Sequence, residues 1–142
     1  MNRPPEMQHP PAIWLPVQGR AQVILPYNPA DRSANPRWLR DTLGERIQIE
    51  HIGRGVWEVV RSHADDLLAA CVDRFGPGGT TLITDAAQQQ KCGTACQTGN
   101  PDNALRCVCQ CGGENHGGVA GNWTMRDSFA IQTTITRRIF IV

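Results

Sequence analysis

A chain of 142 residues, 40% apolar and 19% charged, has the size of one domain, is too apolar for wholesale disorder and too polar to reside in a bilayer. It holds no run of about 18 apolar residues, which excludes a membrane-spanning helix. The net charge of +1 provides no dense basic stripe of the kind that grips long duplexes, so any nucleic-acid contact would have to be a local patch.

The first ten residues contain three prolines and no apolar stretch of the sort a secretory signal needs. Residues 1–11 therefore read as a flexible Pro-rich leader, and a cytoplasmic protein is expected. Residues 13–17 and 20–27 flank Gln18-Gly19 and predict a hairpin. Pro16 and Pro26 push both strands toward an edge or cut them short. Asn35-Pro36 reads as an N-cap and first helical position, opening a short helix over 36–43 that Gly44 closes. Residues 46–52 and 56–60 pair as strands about Gly53-Arg54-Gly55.

Ser62 and Asp65 then resemble a capping box. Ala64, Leu67, Leu68, Cys71, Val72 and Phe75 recur at helical spacing and predict one apolar face over 62–75. Gly76 and Pro77 stop that helix. A short strand is expected at 80–84, and residues 128–142 have a β-like density of Ile, Thr and Phe. Strand pairs alternating with two helices indicate an α+β domain with a small antiparallel sheet. The chain divides into the leader, an α+β core over 12–90, a cysteine segment over 91–118, and a C-terminal strand region over 119–142 packing on the core.

Five of the six cysteines lie within twenty residues. Such crowding, with no export signal, argues against a disulfide framework and for metal ligation. Cys92 and Cys96 are spaced for one helical turn or a knuckle. Gly99-Asn100-Pro101-Asp102 forms a turn that can return the chain to Cys107, Cys109 and Cys111, and His116 is a sixth candidate ligand. Four of these six are expected to bind one Zn²⁺, which thiolate-rich tetrahedral sites favour. An iron–sulfur cluster needs the same number of thiolates and is the alternative. The ligand set stays open: extended backbone turns Cys109 away from Cys107 and Cys111, whereas a knuckle lets Cys107 and Cys109 chelate together. The segment has too few apolar side chains to fold around a core of its own, so the metal is structural. Glu114 and His116 are one conceivable acid–base pair beside it. Asn115 and His116 bonding to backbone in a glycine-rich loop is the simpler reading.

Elsewhere the chain holds no Gly-x-Ser-x-Gly, no HExxH and no dinucleotide fingerprint, and Gly76–Gly79 follows a helix, the wrong order for a phosphate loop. No enzyme is evident. Cys71, Trp38 and Trp57 read as core residues, and His51 and His63 as surface ones.

The string Cys92-x3-Cys96, Cys107-x-Cys109-x-Cys111-Gly-Gly-Glu-Asn-His116-Gly resembles a motif of small bacterial, archaeal and phage proteins with no assigned activity. Over about residues 22–84, Tyr27-Asn28-Pro29, Trp38-Leu39-Arg40, Trp57-Glu58-Val59 and Asp73-Arg74-Phe75-Gly76 resemble the HARP-type domain of annealing helicases. That likeness implies a small α+β module that engages forked or single-stranded DNA without a motor.

Two functions follow as expectations. A zinc-stabilised nucleic-acid-binding module would present Arg37, Arg40, Arg54, Arg137 and Arg138 to the phosphates of single-stranded or branched substrates. A zinc-stabilised protein-interaction subunit or inhibitor would use its apolar C-terminus, residues 139–142, to add a strand to a partner. Whether the arginines form one patch or are scattered and paired with acids separates the two.

Overall fold

The computed structural model describes residues 3–53, 55–87 and 124–142. Seven strands form one sheet: β1 (Ala12–Leu15), β2 (Ala21–Ile24), β3 (Ile49–Gly53), β4 (Val56–Val59), β5 (Thr81–Ala87), β6 (Thr124–Gln132) and β7 (Ile135–Ile141). Their spatial order is β3-β4-β2-β1-β5-β7-β6. Every pairing is antiparallel except that of β1 with β5. The α+β class is as expected, but the sheet is larger than the small one anticipated, because the C-terminal segment supplies two strands instead of one region packed on a finished core. Among the described residues, no helix is long and apolar enough to cross a membrane.

Two helices, α1 (Ala34–Leu43) and α2 (Ala64–Phe75), lie on one face of the sheet. Period-two alternation decides which side chains they meet. Ile13, Leu15, Val23, Val59, Leu82 and Phe140 point toward Leu39 of α1 and Ala64, Leu67, Leu68 and Cys71 of α2. The alternate residues Ala12, Trp14, Ile83 and Ile139 join Met7 and Val56 in a second cluster on the opposite face. All four residues of β1 are buried, as expected of a strand covered on both faces.

The predicted first hairpin forms, with Ile13 opposite Val23, and so does the second, with Ile49 opposite Val59. Gly53 and Gly55 adopt positive φ, 102° and 77°, which a tight turn demands and glycine supplies without strain. Both helices start differently from expectation. Asn35 is not the N-cap of α1: Ser33 holds that place without a side-chain capping bond, and the Asn35 amide donates instead to the Pro26 carbonyl at 3.2 Å. Residues Arg61–His63 form a 3-10 turn, and α2 begins at Ala64.

Two further expectations are corrected. The leader is not a loose arm: Pro5–Gln8 forms a 3-10 turn that buries Met7 against the second cluster. The C-terminus is no donor strand, because Ile139, Phe140 and Val142 are buried and β7 is already paired on both sides. A strand that has spent both edges offers nothing to a partner.

The cysteine segment lies outside the described residues. It joins β5 to β6, and both strands run antiparallel to the β7 that separates them. Ala87 pairs with Ile135 and Thr124 with Ile141, so the end of β5 and the start of β6 are offset by about 20 Å along the strand direction, at roughly 3.4 Å per residue.

Candidate functional site

The six candidate metal ligands, Cys92, Cys96, Cys107, Cys109, Cys111 and His116, and the turn arginine Arg54 lie outside the described residues. The remaining four arginines of the expected nucleic-acid surface are placed, and they do not form one patch: Arg37 and Arg40 share α1, whereas Arg137 and Arg138 lie on β7. Arg37 and Arg40 lie exposed on α1. Arg137 and Arg138 are neighbours on β7 and point to opposite faces of the sheet, as adjacent strand residues must.

Arg37 is held by the loop before its helix. Ala30 donates its backbone N–H to Asn28 Oδ1, and Ser33 donates both its backbone N–H and its hydroxyl to Asp31 Oδ1. These short polar side chains fold the backbone locally, which is why they favour turns. Asp31 Oδ2 then accepts from Arg37 Nη2. The Ser33 hydroxyl first, and Arg37 after it, lower the Asp31 pKa below the usual carboxylate value. A shallow groove of about 380 Å³ follows the same surface, lined by Ser33, Pro36, Arg37, Arg40, Asp41 and Glu45. Its two cations are matched by two carboxylates, so the formal charges of its lining cancel.

Arg137 occupies a different environment from the one expected. It stands directly opposite Asp85, and both are buried, at 6% and 3% exposure. Its Nε donates to Oδ1 at 2.8 Å and its Nη2 to Oδ2 at 2.9 Å. Trp14 Nε1 completes the carboxylate by donating to Oδ2 at 2.9 Å, and the Arg137 guanidinium lies 5.7 Å from the Trp14 ring centroid. A guanidinium shared between a buried carboxylate and an aromatic face has no reach to a phosphate backbone. Arg137 is therefore corrected from a surface contact to an interior ion pair. Arg61 is close enough to feel the charge of the same carboxylate and donates to the Pro16 carbonyl. Burial lowers its pKa, an effect partly offset by the Asp85 charge.

Other arginines are also engaged locally. Arg20 reaches Glu50 at 3.7 Å on the sheet surface, beside the cross-strand pair Glu50–Glu58, whose like charges would otherwise repel. Arg74 stacks between Trp38 and Phe75, 4.9 and 4.8 Å from their ring centroids. Trp38 of α1 and Trp57 of β4 are half-buried against the core, and His51 lies over Trp57 with ring centroids 4.6 Å apart.

Sequence reasoning missed Asp85 altogether. Its one available signal is that it is the single charged residue in the strand segment Thr80–Ala87; what makes it meaningful is the register that brings Arg137 and Trp14 to it. Among the described residues, no group of three or more His, Cys, Asp or Glu could hold a metal ion. No protein-family profile, curated protein or solved structure matches this chain.

Proposed function

We propose that this chain is a zinc-stabilised protein-interaction module. The observation that carries the reading is the state of its arginines: Arg20, Arg37 and Arg137 are each committed to an acid of the same chain, on three separate parts of the molecule. Binding a nucleic acid by its backbone needs cations gathered on one surface and released from other anions, because affinity grows with each phosphate neutralised. A mixed-charge α1 surface and scattered exposed apolar groups, Tyr27 at 66% and Phe129 at 38%, suit contact with another protein. Zinc enters through the thiols of Cys92, Cys96, Cys107, Cys109 and Cys111 and the imidazole of His116, four of which would hold it and tie the long β5–β6 insertion together.

A second reading has one feature in its favour. Arg74, stacked on Trp38 and Phe75, combines a cation with aromatic rings in the way single-strand binders do. The likeness of residues 22–84 to a HARP-type domain points the same way.

Fluorescence anisotropy with single-stranded and forked oligonucleotides, run as a salt series, separates the readings. The interaction module binds neither more tightly than about 10⁻⁵ M at physiological salt, the level of weak non-specific attraction. Tighter binding that weakens with salt, with a slope made shallower by Arg40→Ala combined with Arg74→Ala, would transfer the proposal to nucleic acid.

A further inference from the structure

We draw no further inference here: the strongest candidate, the buried cluster of Trp14, Asp85 and Arg137 with Arg61 beside it at the carboxyl ends of β1 and β5, is already closed as a structural ion pair, and nothing in the structure shows a ligand that it would take.

Discussion

Asp85 on β5 and Arg137 on β7 face each other across the ladder and form a bidentate ion pair in the interior, with the Trp14 indole N–H as third donor. Removing two charges from water is costly, and the pair is tolerable because each carboxylate oxygen is met by good donors.

Breaking the pair on one side strands a buried charge. Arg137→Ala and Asp85→Ala should each destabilise the fold by about 3–5 kcal/mol, read from urea denaturation midpoints. The double variant should cost less than the sum of the two, since neither charge remains alone. Additive losses would mean that the two residues are not coupled in solution.

The core beneath α2 is a separate source of stability. Leu67 is fully buried there, whereas Asp66 on the same helix is exposed. Leu67→Ala should cost about 2–5 kcal/mol through lost burial and a residual cavity. Asp66→Ala should stay within about 0.5 kcal/mol. Thermal or chemical unfolding of the two variants side by side checks the orientation of the helix.

Cys71 gives a pH signature at the alkaline end. Burial pushes its thiol from 9.0 up to about 12, with Arg74 pulling weakly the other way. The folded chain thus favours the protonated thiol more strongly than the unfolded chain does. This contribution is fully present below pH 9 and is lost as pH rises from 9 toward 12, at roughly 1.4 kcal/mol per pH unit. Cys71→Ala should remove that share of the alkaline slope. The same thiol should resist alkylation at pH 8 until denaturant is added, and rapid labelling of the native protein would contradict its burial.

The proposed zinc makes a compositional prediction. Purified, reduced protein should carry about one zinc per chain by elemental analysis, and Cys92→Ser or Cys96→Ser should lower that content. Because structural zinc contributes on the order of 10 kcal/mol to such sites, limited proteolysis should then cut first within residues 91–118. Iron with visible absorbance would replace zinc by a cluster; no metal in reduced protein would remove the metal from the proposal.

Local patterns were legible in the sequence wherever the physics is local. Leu67, Leu68 and Cys71 announce a buried helix face because three- and four-residue spacing stacks them on one side. Gly53 and Gly55 announce a hairpin because the turn needs positive φ, and Gly76, at φ 84°, ends α2 for the same reason. Helix starts were less legible. Asp31 competes for the hydrogen bonds of Ser33, and Asn35 finds the Pro26 carbonyl, partners that lie outside the helix pattern itself.

What only the tertiary structure decided is who meets whom at long range. Nothing in residues 12–15 or 81–87 states that they pair in parallel, since parallel strands are distant in the chain and share no turn. The same blindness hid the fate of Arg137 and of residues 139–142. A basic residue and an apolar tail look available to a partner until β7 is inserted between β5 and β6. Register then delivers Arg137 to Asp85, 52 positions earlier, and seals Ile139, Phe140 and Val142 inside. Composition and spacing determine what a residue is able to do; which groups it finds within reach is set by sheet order and register, which are properties of the whole chain.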